Sequence, residues 1–337
     1  MVFPQRLKDA IAEEIAHSKT SHLADATEEL SKRYRDPSRF DGSSPQKKRF
    51  MTSAAHRSAY LVTRMPATYA AVYHVMREIQ TRMPQINPYT LLDLGAGPGT
   101  VMWAMAEIFP SLQKVVLVEQ DAELMAIGRR LTKNAGCSAI RSATWQASDL
   151  REFGSGSYDV VTLSYALGEL SEESLPTLIK KCWQAANKAV VIIEPGTMPG
   201  FARIRAARQE LIALGGHVVA PCPHSEKCPM PENDWCHFVE RLERSRQHRQ
   251  AKEGTLSYED EKFSYVVVMK SPAAACSARV LRHPLKRPGH VCLSLCTDEG
   301  LKQITVSKKQ KELYQVARKT EWGDAYELED GEELFHP

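Results

Sequence analysis

The chain has no apolar stretch approaching the length needed to cross a bilayer as a helix. Its N-terminus lacks the apolar core of a secretory signal, and Asp9, Glu13 and Glu14 argue against an acid-poor mitochondrial presequence. The expected compartment is the cytoplasm, with no membrane partner. There, eight cysteines are not expected to form a disulfide framework; clustered ones point to metal binding or catalysis. A large charge imbalance is missing too. The net charge of +3 is too small to diagnose nucleic-acid binding, and the apolar and charged fractions are those of an ordinary globular protein. The distribution says more. Residues 270–319 hold eleven Lys or Arg against three acids, whereas residues 320–337 hold seven acids and no Lys or Arg. A basic segment followed by an acidic tail implies one strongly positive surface.

What is present begins with helices. Leu7, Ile11 and Ile15 repeat at i, i+4, and Leu23, Ala26 and Leu30 continue the stripe. From Ser31 to Arg57 a polar, basic stretch carries the turn signals Asp36-Pro37, Asp41-Gly42 and Ser44-Pro45. It reads as a solvated loop, or more sharply as an RNA-facing arm using Lys32, Arg33, Arg35, Lys47, Lys48 and Arg49. Pro66 opens a helix with Tyr69, Val72, Tyr73, Met76 and Ile79 on one face, a core stripe that packs the N-terminal region onto the next domain. From Tyr89 the pattern alternates. Strand-like runs at 89–94, 114–119, 140–145, 158–164 and 188–193 interleave with helical patterns near 98–109, 121–134, 171–186 and 199–214. This spacing predicts an α/β doubly wound parallel sheet with right-handed crossovers.

The first strand runs into Leu91-Leu-Asp-Leu-Gly-Ala-Gly-Pro-Gly-Thr100. Glycines let the backbone turn sharply and let a ligand approach the main chain. Backbone N–H groups at the following helix start favour an electron-rich ligand. The spacing Asp93-x-Gly95-x-Gly97-x-Gly99 resembles the cofactor loop of class I S-adenosylmethionine methyltransferases, not the nicotinamide fingerprint. The second strand ends in Glu119, about 20 residues on, where a carboxylate can accept hydrogen bonds from both ribose hydroxyls. The alternative for Glu119 is an ordinary solvated acid, which its strand-end position disfavours. Asp149, after the third strand, takes the place such enzymes use near adenine. The catalytic machinery is not legible. After the fourth strand comes Ser164-Tyr-Ala-Leu-Gly-Glu-Leu170, without the Asn/Asp-Pro-Pro-Tyr that holds a target amine. Tyr165 and Glu169 offer aromatic packing or a base, or are structural. No Cys nucleophile stands at a strand end, and Cys182 reads as a packed helical residue.

After Gly215-Gly216 three cysteines fall within fifteen residues: Cys222, Cys228 and Cys236, two of them followed by proline. Thiolates are soft ligands that suit zinc or iron–sulfur clusters. Their spacing does not match the paired Cys-x-x-Cys of a zinc ribbon, while His224 or His237 would complete a Cys3His zinc site. A fourth thiolate is offered by Cys296 or Cys292, which share a strand face by period two; Cys296 sits at the strand end, and Cys292 reads as packed. Cys137 and Cys276 stand isolated. Trp235 to Gly254 reads as a basic helix, with Arg241, Arg244, Arg246, Arg249 and Lys252 favouring phosphate contact over a merely solvated face. Phe263 to Met269 is a strand closing the sheet. The runs 278–283, 290–296 and 301–306 look like a small β-barrel or extension bearing Arg279, Arg282, Lys286, Arg287, Lys308, Lys309 and Lys311. Few aromatics interleave these charges, which favours backbone contact over base stacking.

Several segments together resemble one family, the methyltransferase-like proteins associated with the ribosomal small subunit. They are Arg64-Met-Pro-Ala-Thr-Tyr-Ala-Ala71, Leu91 to Thr100, Glu194-Pro-Gly-Thr197, Cys222-Pro-His with Cys228-Pro, and Asp234-Trp-Cys-His-Phe238. Tyr258-Glu-Asp-Glu-Lys-Phe-Ser-Tyr265, Gly289 to Cys296, and Ala317-Arg-Lys with Trp322-Gly-Asp324 extend the likeness over residues 50 to 325. The resemblance implies an adenosylmethionine-binding fold and a four-cysteine [4Fe–4S] cluster, with Cys222, Cys228, Cys236 and Cys296 as its ligands. It also implies a role with small-subunit rRNA in maturation or translation. The function expected is that of an S-adenosylmethionine-dependent, rRNA-binding methyltransferase-like protein, monomeric when free. A non-catalytic assembly factor and a small-molecule methyltransferase are the alternatives. The expected division is a helical region (1–88), a Rossmann-like core (89–215), a Cys-rich basic insertion (216–262), a closing strand with a basic β-rich extension (263–325), and an acidic tail (326–337).

Overall fold

Alternation of β-branched runs with amphipathic helices leaves both sheet faces apolar, so each must be covered by helices. A computed structural model, which describes residues 3–16, 20–35, 51–252, 256–273, 276–328 and 334–335, shows how. Helices α1 (Gln5–Glu14), α2 (Thr20–Arg35) and α3 (Ala54–Ala59) lead through a π-helical turn (Tyr60–Arg64) into α4 (Met65–Arg82). There follow β1 (Thr90–Leu94), α5 (Thr100–Ile108), β2 (Lys114–Glu119), α6 (Ala122–Thr132), α7 (Ser138–Arg141), β3 (Thr144–Ala147) and β4 (Tyr158–Ser164). Then come α8 (Leu175–Ala185), β5 (Ala186–Pro195), α9 (Met198–Ala213), β6 (His217–Ala220), β7 (Phe238–Glu243), α10 (Arg246–Ala251) and β8 (Tyr258–Met269). The first sheet has the order β3-β2-β1-β4-β5-β8-β6. Strands β1 to β5 pair in parallel, and β8 runs antiparallel between β5 and β6. This is a class I methyltransferase-like α/β Rossmann fold. The strand order reverses between β1 and β4, and the crevice there is where such sheets bind ligands.

Helix α4 buries Met65, Tyr69, Val72, Val75, Met76 and Ile79 against α5 and β8. Each such side chain contributes roughly 1.5–3 kcal/mol. One sheet face packs on these N-terminal helices; the other packs on α8 and α9 through Leu178, Ile179, Trp183 and Leu211. A second sheet comes next, built from β9 (Ala278–Val280), β10 (Leu285–Arg287), β11 (His290–Thr297), β12 (Gly300–Ser307), β13 (Ala325–Tyr326) and β14 (Leu334–Phe335). Its order is β13-β9-β11-β12-β14, with β10 on β11, so it is an open antiparallel sheet and not a closed barrel. Helix α11 (Lys311–Lys319) covers one side.

Three expectations need correction. The third strand is β3, four residues later than the apolar pattern at 140–145 predicts, because Ala139 and Ile140 bury inside the short helix α7. Ser31 to Arg35 belongs to α2 and not to a loop. The Glu28–Lys32 pair (2.7 Å) supports that last turn, and no helix breaker precedes Pro37. Lys47, Lys48, Arg49 and the turn dipeptides lie outside the described residues. Finally, Trp235 to Gly254 is not one basic helix. Phe238 and Leu242 bury with strand spacing, and β7 pairs with the first half of β8. Its cations are largely neutralised: Arg241 meets Asp260 (2.7 Å), and Glu259 takes Arg244, His248 and Lys252.

Candidate functional site

The turn after β1 places Gly95, Gly97 and Gly99 at φ of +70°, +53° and +88°. At Gly95 a side chain is excluded twice, by that φ and by Ala166 Cβ, which would lie 2.8 Å from any added Cβ. Gly95 and Ala96 N–H donate to Val118 O, so the turn folds back over the end of β2. There Glu119 points inward. Its Oε2 accepts from Gly97 N–H and its Oε1 from Asp121 N–H, both at 2.8 Å. Burial raises its pKa against those two bonds. Asp93 is fully buried at the end of β1. Its Oδ1 accepts from Thr162 Oγ1 (2.7 Å), while Oδ2 has no partner among the described residues. Burial, resisted by the Thr162 bond and reinforced by Glu119, pushes it up to about 7. Asp149 is held by Arg151, whose Nε and Nη2 donate at 2.8 and 2.6 Å.

Gly95, Glu119 and Asp149 line one cavity, about 450 Å³ of free space counting its open mouth, together with Tyr165, Ala166 and Glu169. Asp93, Gly97 and Gly99 do not line it; they shape the turn from beneath and beside. Gln120 Nε2 reaches Glu169 Oε2 (3.1 Å) from the end of β2 to the turn after β4. Tyr165 has φ of +57°, a conformation a bulky side chain rarely adopts. Its hydroxyl donates to Glu261 Oε1 (2.8 Å), and Arg64 from the π-helical turn clamps that carboxylate at 2.9 and 3.0 Å. Behind this wall Glu194 accepts from Leu167 N–H (2.9 Å), and burial pushes it up to about 7 despite Arg203.

A second cavity, about 560 Å³ of free space counting its open mouth, lies between the two sheets. Cys222, Cys228 and Cys236, from the segment joining β6 to β7, and Cys296 of β11 all line it. The walls are apolar, with Phe201, Met230 and Leu281, and Arg208 and Arg279 also border it. Burial, with the three other thiols adding to it, pushes the Cys236 thiol well up. Among the described residues no three His, Cys, Asp or Glu side chains are grouped so as to hold a metal ion. Cys292 lies off the cavity, 3.5 Å from Thr305 Oγ1. His224 Nε2 sits 3.7 Å from Cys296 Sγ, whereas His237 stacks on Trp235. Arg279 is 1% exposed, and it donates to Pro221 O, Gly323 O and Glu78 Oε2 at 2.8, 2.8 and 2.7 Å. It ties the cysteine segment to α4 and to the chain after α11.

A family model described as mitochondrial small ribosomal subunit Rsm22 matches residues 54–327. The chain belongs to the Rsm22 family. The human mitochondrial ribosome assembly protein METTL17 is 31% identical over 79% of this chain and 61% of its own length. The fission yeast (Schizosaccharomyces pombe) mitochondrial Rsm22-cox11 tandem protein 2 is 29% identical over 80% of this chain and 43% of its own. The chain thus spans about half the length of these relatives. Among solved structures, magnesium protoporphyrin IX methyltransferase from Synechocystis, bound to SAH, superposes with a TM-score of 0.42 at 12% identity, over 74% of this chain and 97% of that one. That score carries no functional weight; the fold assignment rests on strand order. In this Rsm22-family chain spacing missed Arg64 and Glu261, and it set Arg279 on a basic surface whereas the fold buries it in internal hydrogen bonds. Arg64 and Glu261 meet across 197 positions of sequence, and no local pattern signals such a pair. No helix among the described residues is long and apolar enough to cross a membrane.

Proposed function

We propose that this Rsm22-family chain acts in assembly of the small ribosomal subunit, binding its rRNA, with S-adenosylmethionine at the glycine turn and a [4Fe–4S] cluster among the four cysteines. The observation that carries the reading is the family match across residues 54–327. The nucleoside cavity fits the cofactor by its donor set. Glu119 would accept from the ribose hydroxyls, Asp149 would meet the adenine, and Gly95, Gly97 and Gly99 keep the turn free of side chains. When bound, adenosylmethionine supplies an electrophilic methyl group. Tyr165 and Glu169 line the wall beside it and would exclude water there.

The thiol cavity fits a cluster by the same kind of test. Four thiols, soft donors that suit an iron–sulfur cluster or zinc, line one apolar cavity. Arg208 and Arg279 supply cationic charge beside what would be a thiolate-bound anionic group. Anaerobic purification is expected to give iron and sulfide in matching amounts; zinc alone would favour the Cys3His arrangement.

Methyl transfer to rRNA is the first reading. One observation favours an assembly factor without turnover: the Tyr165 hydroxyl is already committed to Glu261 and Arg64, and no amine-holding motif stands at the end of β4. Small subunits from a deletion strain, offered labelled adenosylmethionine with wild-type or Gly97→Arg protein, decide between them. Label with the wild type alone establishes the enzyme. The protein is expected to co-sediment with small-subunit precursors, as a monomer when free and in the cytoplasm, although the named relatives are mitochondrial. Confinement to ribosome-free fractions at low salt would refute the assembly role.

A further inference from the structure

The second sheet has two unlike faces, and α11 covers only one. There Val291, Leu293 and Leu295 of β11 pack with Ile304 and Val306 of β12. The register fixes what the other face carries. His290 stands opposite Ser307, Cys292 opposite Thr305, Ser294 opposite Gln303, and Cys296 opposite Leu301. Strand β10 extends the row with Leu285 opposite Cys292 and Arg287 opposite His290. Because side chains alternate by two, small hydrogen-bonding groups gather on one surface. At one end the row enters the thiol cavity through Cys296 and Leu301. At the other it opens on Arg287, with Lys308 and Lys309 in the turn that Lys308 N–H closes onto Gly289 O (2.7 Å). These three cations are exposed, and none has a carboxylate partner among the described residues. Leu285 is 53% exposed, Gln303 is exposed, and Cys292, Ser294 and Thr305 are half-buried.

We propose that this face binds the backbone of an RNA duplex. The inference rests on the small-subunit reading and names the surface that serves it. A-form RNA presents a wide, shallow minor groove of 2′-hydroxyls, which small donors and acceptors such as Ser294, Gln303 and Thr305 match. Cations at one end match flanking phosphates and release counterions. The row residues of β10, β11 and β12 include no Phe, Tyr or Trp, and β14 sets a single aromatic, Phe335, opposite Gln303 at the edge, which makes a poor platform for stacking a run of unpaired bases. From His290 to Cys296 the track runs about 20 Å at the rise of a strand. The unpaired cations of β10 and the β12 turn contrast with Arg241, Arg244 and Lys252, which β8 neutralises.

The test uses the full chain isolated anaerobically, a hairpin of about 16 base pairs and a matched single strand, titrated by anisotropy at several salt concentrations. Arg287→Glu and Gln303→Glu are each expected to weaken duplex binding roughly ten-fold, Arg287→Glu also lowering the salt slope by about one phosphate contact. Lys180→Glu, the same charge change on exposed α8, is expected to stay within about two-fold. Circular dichroism melts report whether each variant folds. At peptide level, duplex is expected to slow alkylation of Cys292 and not of Cys137, whose reactivity needs no variant. Equal weakening by Lys180→Glu, unchanged binding by both face variants, or preference for the single strand overturns the proposal. Wild-type protein that co-sediments with small subunits but leaves Cys292 reactive overturns this surface alone; failure to co-sediment at all overturns the small-subunit reading with it.

Discussion

Arg279 is the buried cation on which three parts of the chain converge, so its removal gives the sharpest test of how the second sheet is held. In Arg279→Met, Glu78 is left with the longer contact to Arg82 (3.9 Å), and the carbonyls of Pro221 and Gly323 lose the Arg279 donor. Breaking a buried ion pair from one side costs about 3–5 kcal/mol. Each orphaned buried carbonyl adds about 1 kcal/mol. The methionine regains about 1.5 kcal/mol through apolar burial. The expected net loss is about 4 kcal/mol, a large share of a stability on the order of 5–15 kcal/mol. In a thermal melt of a chain this long it lowers the midpoint by roughly 6 °C. The double variant Glu78→Gln/Arg279→Met is expected to recover about 1–3 kcal/mol relative to the sum of the single variants. A loss below about 1 kcal/mol for Arg279→Met, or strict additivity in the cycle, would show that the pair does not hold the sheet.

The two inner glycines should differ. Gly95→Ala combines an unfavourable φ with a 2.8 Å approach to Ala166 Cβ and is expected to cost about 3 kcal/mol. Gly97→Ala meets nothing nearer than the Tyr60 hydroxyl at 3.8 Å and should cost about 1 kcal/mol. Equal urea midpoints for the two would sink that distinction. Cys222→Ser is expected to lose bound iron and lower the melting temperature, since a group bound only by the folded state stabilises it; full iron content would exclude Cys222 as a ligand. Glu259 gives a pH signature. Burial pushes it up, but the bonds from His248 and Lys252 outweigh that and hold it to about 2. Its folded pKa is depressed, so its contribution is present above about 4.3 and is lost as pH falls toward 2. Glu259→Gln should flatten acid unfolding across that window; an unchanged acid limb would contradict the assignment.

The alternating pattern from Tyr89 predicted the first sheet because each strand is a local apolar run bounded by turn residues. Lys114 to Glu119 carries its own boundaries, and β2 occupies that range. Boundaries shifted where local apolar content served a helix, as at Ala139 and Ile140. The β7–β8 hairpin was hidden for a different reason. Arg241 and Arg244 have helical spacing, while the strand state depends on acids and aromatics from Glu259 to Phe263, and a single segment carries no trace of that pairing. The same holds for the sites. Glycine spacing marks a turn from within ten residues, and three of the four cysteines lie close in sequence. Arg64 with Glu261, and Arg279 with Glu78, are contacts between segments about 200 residues apart. Only the fold brings them together.

Helix α9 joins the two cavities physically. Arg203 lies 3.5 Å from Glu194, whose other oxygen holds Leu167 N–H in the turn beyond Tyr165. On the same helix Phe201, Ile204, Arg205 and Arg208 border the thiol cavity, and Arg208 fixes His224 O at 2.8 Å. Both sites therefore stand on one packed element, which suits sites needing fixed geometry. A shared rigid support does not by itself couple their affinities: coupling requires an element with two arrangements that both ligands bias. What it does require is that each ligand select the same folded state and stabilise it by its own binding free energy. The ligands proposed for the glycine turn and for the cysteines would then be two tenants of one fold, and the face of the second sheet opposite α11 begins where the thiol cavity ends.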